Sequence, residues 1–316
     1  MKIIAEFCQN HNGDFEVLKR MIHAAAAGGA THGKIQTIFA EELSFRPEFE
    51  QGEEREGKTT IIKRPYQAEY DRLKKLELTY AQHADFITEC NRAGIIPLTT
   101  AFTVNAVTNL RELGWKSIKI ASYDCGSLPL IKACAQAFDE LIISTGASYD
   151  EEIAKTADYL NGIKKHFSFL HCVTIYPTPL DQLHLNRMKF LGQYTASVGL
   201  SEHTQTSRDG VKACIAAIYA GATLVERHFT VLPPDQSRDG KVSIATEHLR
   251  EIVAFCRLSP NEQQQYIIEK IPEYPVMLGQ KTRPLSHDEL LNRAYYRGRF
   301  CNKVDGKQVF NWEEHG

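Results

Sequence analysis

The sequence has no hydrophobic run that approaches the roughly 20 apolar residues needed to cross a membrane. Its first residues, MKIIAEFCQNHNGD, contain one lysine and only a short apolar run before polar residues follow. This pattern is not that of a secretory signal peptide. We therefore expect neither membrane insertion nor secretion.

The sequence also lacks a strong excess of charge and any paired-cysteine motif. A formal net charge of -2 predicts no strong attraction to nucleic acid or to an anionic membrane, so an anionic substrate would have to be held by local cations. None of the eight cysteines forms a CxxC pair, and several lie in apolar runs such as FLHC and IVAFC. We expect reduced thiols that pack as small hydrophobic side chains in a cytoplasmic protein.

Short apolar runs alternate with segments of helical spacing along most of the chain, which has ordinary globular composition. This alternation predicts an α/β fold with a parallel sheet covered by helices. Eight strands within about 230 residues fit a closed eightfold β/α (TIM) barrel. A doubly wound open sheet is the alternative, but it needs fewer strands and no GxGxxG motif follows the first strand. The predicted strands span residues 3–8, 33–37, 95–102, 117–122, 140–146, 167–172, 196–203 and 223–229.

Two segments depart from the alternation. Residues 38–79 are rich in charge and contain no clear strand; because they follow the second strand, a barrel places them over its carboxyl-terminal face, as a lid or as a solvated insertion. Residues 259–316 are polar and carry Pro, Gly and many cations. We predict a barrel domain at 1–258 and an appendage outside it at 259–316, which is too short for a well-filled core of its own.

Polar residues stand at the end of every predicted strand, where barrel active sites lie. Lys34 and Lys119 lie inside otherwise apolar strands, and a buried ammonium is costly unless an anion compensates it. Glu6 or Asp124 is one candidate for that anion. The serines at 122, 144 and 201 favour a bound phosphate or carboxylate instead, because hydroxyl groups would orient such a ligand beside the lysine charge.

Two histidines, in SVGLSEHT and LVERHFT, end the seventh and eighth strands. Neighbouring strand ends place His203 and His228 side by side, where they can share one divalent cation and leave positions open for substrate and water. The alternative is a pair of core histidines bonded to backbone carbonyls or to Glu202 and Glu226. Glu226 and Arg227 are expected to form a structural pair at the barrel rim.

The sequence resembles the sialic acid synthase family, the phosphoenolpyruvate-condensing synthases that make nonulosonic acids. The matching stretches occur in the order IIAEFCQNHNGD, GKIQT, IKIASYDCGSLPLI, ELIISTGAS, FLHCVTIYPTP, VGLSEHT and GATLVERHFT, across roughly residues 1–250. The resemblance implies a barrel enzyme, a transferase that condenses phosphoenolpyruvate with an N-acylated amino-sugar aldehyde by metal-assisted attack and C–O cleavage. It also implies a homodimer and a divalent cation, Mn²⁺ or Mg²⁺.

The resemblance assigns roles to individual residues. His203 and His228 look like the metal ligands, and Lys34, Lys119 and Asp124 look like the catalytic residues. The substrate-binding set it implies comprises Asn10, Gln36, Thr100, Ser122, Ser144, Thr174, Tyr176, Ser201 and Asp239. Asn often stands in the family where this chain has Thr174, and the stretch SRDGKVSI keeps Asp239 in changed surroundings.

The family usually ends in an antifreeze-like domain whose arginine reaches the partner's sugar. Residues 259–316 are accordingly expected to be a linker and a truncated antifreeze-like tail, in which Arg297 or Arg299 is the candidate for the sugar contact. N-acetylmannosamine is the model acceptor. The alternatives are a diacylamino or 6-phosphorylated sugar, as in legionaminic, pseudaminic or sialic acid 9-phosphate synthesis, and a non-catalytic barrel used for protein contacts.

Overall fold

The computed structural model describes residues 1–314. Twelve strands lie within that range: β1 (Lys2–Cys8), β2 (His32–Thr37), β3 (Glu53–Arg55), β4 (Lys58–Ile61), β5 (Ile96–Ala101), β6 (Ser117–Ile120), β7 (Glu140–Ser144), β8 (His166–Cys172), β9 (Val198–Glu202), β10 (Leu224–His228), β11 (Asn302–Val304) and β12 (Lys307–Val309).

The same range contains fourteen α-helices: α1 (Phe15–Gly28), α2 (Glu48–Gln51), α3 (Tyr66–Lys74), α4 (Tyr80–Ala93), α5 (Val104–Glu112), α6 (Leu128–Ala137), α7 (Asp150–Gly162), α8 (Arg187–Leu191), α9 (Thr206–Asp209), α10 (Lys212–Tyr219), α11 (Thr246–Cys256), α12 (Pro260–Lys270), α13 (Tyr274–Leu278) and α14 (His287–Tyr296).

Eight parallel strands form a closed barrel in the order β1-β10-β9-β8-β7-β6-β5-β2. The barrel closes where Glu6 of β1 pairs with His228 of β10, while Glu6 also pairs with Lys34 of β2 on its other side. The eight predicted strands and the eightfold barrel are confirmed. The closure brings the two ends of the sheet, and the ionisable residues on them, into one place.

The interior of the barrel is layered, because side chains on a strand alternate between the lumen and the surrounding helices. The lower layer is apolar and consists of Ile4, Leu98, Ile142, Leu170 and Leu224. Two residues further along these strands the lumen becomes polar, with Glu6 above Ile4 and Glu226 above Leu224. The strands thus seal the lower end of the barrel and present polar groups at the upper end.

The outward faces of the strands pack under the helices in one large apolar core that includes Phe7, Phe86, Trp115 and Phe229. Local signals set the helix ends. Asp14 caps α1 by accepting hydrogen bonds from the backbone of Glu16 and Val17. The residue that follows α1, Gly29, has φ of 90°, a left-handed conformation that glycine adopts without steric cost.

Residues 38–79 form an ordered excursion above the carboxyl-terminal face. The sequence pattern showed no strand there, and that interpretation was wrong, because β3 and β4 form a short antiparallel hairpin. Its strands are mostly exposed and polar, so they lack the apolar run by which buried strands are recognised. Helix α3 follows and directs Glu69 and Arg72 towards the barrel mouth.

The residues after α11 pack against the barrel and the excursion. Helices α12 and α13 lie beside α10, and α14 approaches the β3–β4 hairpin. Arg46 of the excursion donates hydrogen bonds to three backbone carbonyls of the tail, those of Ala294, Tyr295 and Arg297. The division into a domain at 1–258 and a truncated tail stays a prediction.

No helix among residues 1–314 combines the length and the apolar character needed to cross a membrane. All eight cysteines are free thiols, as predicted, and seven of them are buried.

Gly199 supports a prediction about the barrel itself. A β-carbon at this position would fall on the carbonyl oxygen of Leu224 in the neighbouring strand, which cannot move without breaking the ladder. We expect Gly199→Ala to lower the free energy of unfolding by about 3 kcal/mol, the upper end of ordinary overpacking costs. Gly162→Ala is the control, because nothing lies within 4 Å of its added β-carbon. Equal urea midpoints for the two variants would contradict the prediction.

Candidate active site

A polar cavity of about 480 Å³ opens at the carboxyl ends of the barrel strands. The structure brings together there every predicted site residue except Asn10, namely Lys34, Gln36, Thr100, Lys119, Ser122, Asp124, Ser144, Thr174, Tyr176, Ser201, His203, His228 and Asp239. Residues far apart in the sequence meet because parallel strands end on the same face.

Lys34 lies at the floor of the cavity between two carboxylates. It forms an ion pair with Glu6, and its Nζ lies 3.5 Å from Glu226 Oε1 and donates to Thr100 Oγ1 at 3.3 Å. Burial alone would lower the pKa of this ammonium, but the carboxylates of Glu226 and Glu6 outweigh burial and raise it. Lys34 is therefore charged. Of the two predicted candidates for its anion, Glu6 takes that place together with Glu226.

Lys119 lies near the same carboxylate but is held less firmly in its charged form. Its Nζ donates to Ser144 Oγ at 2.7 Å and lies 3.7 Å from Glu226 Oε1. Burial lowers the pKa of Lys119, and although Glu226 opposes that effect, Lys34 adds repulsion. The two lysines thus differ: Lys34 is already paired with two carboxylates, whereas Lys119 can accept a further anionic partner.

Glu226 and Arg227 do not pair with each other, so that prediction was wrong. Adjacent residues on a strand point to opposite faces, and Glu226 faces the lumen, where it also accepts a hydrogen bond from Ser201 Oγ at 3.0 Å. Arg227 faces the helices and pairs with Glu202. Burial would raise the pKa of Glu226, but Lys119 and Lys34 lower it to about 2.

Asp124 lies on the other side of the cavity, on a single turn of 3-10 helix that follows β6. One carboxylate oxygen, Oδ1, accepts hydrogen bonds from Asn311 Nδ2 at 3.0 Å and from Ser127 Oγ at 3.1 Å. Burial raises the pKa of Asp124 to about 6, although these two hydrogen bonds oppose the rise. A carboxyl group with this pKa can exchange a proton near neutral pH.

His203 and His228 are neighbours above the charged layer. Their ring centroids are 5.2 Å apart, and the ring of Tyr176 lies over His203 with a centroid distance of 3.9 Å. Burial lowers the pKa of His203 well below its ordinary value, and His228 adds to that effect. Burial also lowers the pKa of His228, but the carboxylate of Asp239 outweighs it and the net change is upward.

The donor atoms around His228 suit a divalent cation. His228, Asp239 and Cys8 each offer one ligand atom, and these three atoms lie within 4.8 Å of one another. His228 Nδ1 is buried, lies 3.3 Å from Asp239 Oδ2, and yet makes no hydrogen bond. A buried donor without a hydrogen bond beside a carboxylate fits metal coordination. His203 is outside this group of three, so its role as a ligand stays a prediction.

Asn10 lies behind the cavity wall, fully buried. Its side chain donates to the carbonyl of Phe229 and to Ser243 Oγ, and it accepts from the backbone N–H of Asp239 at 3.0 Å. These contacts join the end of β1 to the segment after β10. In this structure Asn10 acts on the cavity by fixing the position of Asp239.

The tail contributes part of the cavity mouth. Tyr296, Arg299 and Phe300 line it, together with Arg72 from the excursion. Arg299 pairs with Glu69, which also binds Arg72. Arg297 lies away from the cavity, over the ring of Trp312 and 3.1 Å from Glu152. Of the two arginines proposed from the sequence for a sugar contact, Arg299 is the one at the cavity.

The fold and the site define a parallel eight-stranded β/α barrel with a charged, histidine-bearing cavity at the carboxyl ends of its strands. Within that class the chain belongs to the NeuB family, whose model matches residues 21–265. It is 32% identical over 267 residues to N,N'-diacetyllegionaminic acid synthase of Campylobacter jejuni, covering 81% of this chain and 75% of that one.

The protein of the same name from Legionella pneumophila is 30% identical over 309 residues, covering 93% of this chain and 78% of that protein. Among solved structures, the N-acetylneuraminic acid synthetase of Leptospira borgpetersenii, in complex with citrate, superposes with a TM-score of 0.69 at 25% identity, covering 93% and 92% of the two chains.

Proposed function

We propose that this protein condenses phosphoenolpyruvate with an N-acylated amino-sugar aldehyde to give a nonulosonic acid and phosphate. The observation that carries the proposal is the buried layer in which two lysines and three serines surround one end of the cavity beside a pair of histidines. The names of the relatives support the same reaction class. Lys34, Lys119 and Asp124 act directly on the reactants.

The charged layer suits phosphoenolpyruvate because its lysines and hydroxyls all face one space. Lys119 has a single carboxylate neighbour at 3.7 Å and is the ammonium with most capacity for an added anion. Ser144 accepts a hydrogen bond from Lys119, and Ser201 donates one to Glu226. Both hydroxyl groups can turn to donate to a phosphate or carboxylate oxygen. Donors that are already positioned before the reaction stabilise charge that develops during it.

The reaction balances with one water. A C–C bond forms between C3 of phosphoenolpyruvate and the aldehyde carbon, and water adds to C2. Asp124 takes one proton of that water, which accounts for the hydroxyl formed at the former aldehyde oxygen. The other proton leaves with phosphate when the C2–O bond breaks. A divalent cation bound at the histidines, proposed as Mn²⁺ or Mg²⁺, would polarise the aldehyde as a Lewis acid.

The acceptor is proposed to carry a second acylamino group. The two relatives at 32% and 30% identity are both named N,N'-diacetyllegionaminic acid synthases, which favours a diacetamido sugar over N-acetylmannosamine. At the mouth, Gln36 and Tyr176 offer polar groups, and Phe300 offers an apolar surface for an acyl methyl group. We further propose that the protein acts in the cytoplasm as a homodimer.

The decisive experiment measures phosphate release from phosphoenolpyruvate with Mn²⁺ and a panel of aldehydes: N-acetylmannosamine, its 6-phosphate and a 2,4-diacetamido hexose. We expect release that depends on the sugar and is fastest with the diacetamido compound. Folded, metal-loaded protein that releases no phosphate with any sugar and shows no binding of phosphoenolpyruvate by calorimetry would favour a non-catalytic barrel instead.

Asp124→Asn should separate catalysis from stability. We expect the rate to fall by about 10²–10⁴-fold, because the amide keeps the hydrogen bonds from Asn311 and Ser127 but cannot accept a proton. In the wild type, kcat/KM should rise with pH around a midpoint near 6, and this step should be absent in the variant.

Asp124→Asn should be more stable than the wild type near neutral pH, although it is less active. The folded state of the wild type binds its proton more tightly than the unfolded state does, so stability is lost as pH rises from 3.8 through about 6. The variant lacks this loss and should be more stable than wild type above pH 7, by at most roughly 3 kcal/mol. A variant less stable than wild type at pH 8 would contradict the burial argument.

A further inference from the structure

Cys8 occupies an unusual backbone position at the end of β1. Its φ is +48°, in the left-handed region that side-chain-bearing residues rarely adopt, and the register of β1 against β2 shifts between Glu6 and Cys8. The backbone N–H of Cys8 donates to Glu6 Oε1 at 2.6 Å, which holds this bend. Glycine would fit here without strain, so the thiol is present despite a backbone cost.

The thiol of Cys8 lies on the cavity side of β1, like the side chain of Glu6 two residues earlier. Cys8 lines the cavity, and its sulfur belongs to the group of three ligand atoms that lie within 4.8 Å of one another. Ligand atoms bound to one tetrahedral transition-metal ion at about 2.0–2.3 Å are roughly 3.3–3.8 Å apart. Small side-chain rotations therefore suffice to bring all three atoms onto one ion.

The backbone around Asp239, which carries the carboxylate of the group, is held in place by side chains from the turn after β1 and from the segment after β10. Asn10 accepts from the backbone N–H of Asp239, Asn12 Nδ2 donates to the carbonyl of Gln236 at 2.7 Å, and Ser243 Oγ donates to the carbonyl of Asp239 at 2.8 Å. The turn after β1 and the segment after β10 are thus tied together on both sides of the three ligands. Such support is typical of metal sites, whose ligands are oriented by outer hydrogen bonds.

We propose that Cys8 is a metal ligand, which completes a sulfur-containing site with His228 and Asp239. The inference rests on the proposed function only in assuming that a divalent cation binds at the histidines. Thiolate donors favour zinc, iron and cobalt, whereas carboxylate and water sites suit Mg²⁺. Of the two cations proposed above, Mg²⁺ should therefore be the poorer occupant, and zinc, iron or cobalt should bind more tightly than Mn²⁺. Binding of the ion displaces the thiol proton to solvent and changes no oxidation state.

The experiment uses the full-length protein loaded with Co²⁺ in the absence of substrates, so that it reads coordination and not turnover. We expect a thiolate-to-cobalt charge-transfer band in the near ultraviolet, and X-ray absorption of the zinc-loaded protein should show a sulfur neighbour at about 2.3 Å. Cys8→Ser should lose the band. It should also bind the metal more weakly, by about 10–100-fold or more, since removal of residues that only support metal ligands already has an effect of this size.

Cys172→Ser is the matched control. Its sulfur also lines the cavity and lies 4.0 Å from His203 Nδ1, but it is not one of the three clustered ligands, so this variant should keep the band. A band lost in Cys172→Ser and kept in Cys8→Ser would overturn the proposal. An X-ray absorption spectrum of wild-type protein with only nitrogen and oxygen neighbours would overturn it too, even if Cys8→Ser fails to fold.

The outcomes also separate this inference from the proposed function. Sulfur coordination in a protein that releases no phosphate would leave the Cys8 assignment intact and remove the reaction. Sugar-dependent phosphate release by a protein whose metal has no sulfur ligand would support the reaction and remove the Cys8 assignment.

Discussion

Lys34→Met is expected to destabilise the protein by roughly 3–5 kcal/mol and to abolish phosphoenolpyruvate binding. Glu6 and Glu226 both lie against this ammonium, so its removal leaves the buried carboxylate of Glu6 without its ion-pair partner and leaves Glu226 with Lys119 alone. Breaking a buried ion pair by removing one partner typically costs this much. Urea unfolding and calorimetric titration with phosphoenolpyruvate measure the two effects separately.

The double variant Glu6→Gln/Lys34→Met distinguishes the two roles of the lysine. It removes the charge left unpaired on Glu6, and we expect it to recover a large part of the lost stability while phosphoenolpyruvate binding stays absent. If binding returned with stability, Lys34 would be a structural residue only. A single variant that is as stable as wild type would show that the carboxylates find other cations.

The loss of stability at acidic pH should be smaller in Lys34→Met than in the wild type. In the wild type, the lowered pKa of Glu226, about 2, contributes stability that is complete above its ordinary value of 4.5 and is lost as pH falls towards 2. In the variant, Lys119 is the remaining cation beside Glu226, so the pKa of Glu226 should be lowered less and acidification from pH 4.5 towards 2 should cost less stability than in the wild type. Urea midpoints across this range provide the measurement.

His228→Ala is expected to lower sugar-dependent phosphate release by roughly 10³-fold or more, with a parallel loss of bound metal. The proposed cation would lose a ligand, and the polarisation of the aldehyde that it is proposed to supply, an effect worth several kcal/mol, would be lost with it. The same holds for His203→Ala if the predicted pair is correct. Metal content by elemental analysis and the rate at saturating Mn²⁺ are the two measurements.

His166→Ala is the control for both histidine variants. His166 is exposed at the opposite end of the barrel, where β8 begins, so its loss should leave rate and metal content unchanged. Full activity and full metal content in His203→Ala would remove that residue from the metal site. Cys8, His228 and Asp239 would then stand as the ligands.

The barrel was predictable because each strand is buried on both faces and reads as a short apolar run. The hairpin β3–β4 was not, since its strands pack on neither a core nor a neighbouring sheet and offer no apolar pattern. The sequence pattern did not predict the position of the tail either. Its contacts at Arg46 and Glu69 are polar and specific, and nothing in its composition indicates the surface on which it packs.

Much of the cavity lining followed from one rule, that strand ends share a face. The alternation of side chains along a strand predicts more of the lining. Because His228 faces the lumen, Glu226 two residues earlier must face it as well, and Arg227 must face outwards. Cys8 stands in the same relation to Glu6. The apolar runs around most cysteines do not distinguish Cys8 from the other seven. The distance from Asp239 to His228, by contrast, depends on a loop path that no local pattern encodes.

The closure of the barrel has a consequence for how the chain is made. Lys2 of β1 pairs with Leu224 of β10, so one edge of the first strand has no partner until more than 220 residues have followed it. At about 5–20 residues per second, a ribosome needs roughly 10–45 s to supply that partner. Throughout this interval the nascent sheet has an open edge, which other chains can join, and Glu6 lacks its neighbour His228. Assembly of the site thus has to wait until β10 has been synthesised.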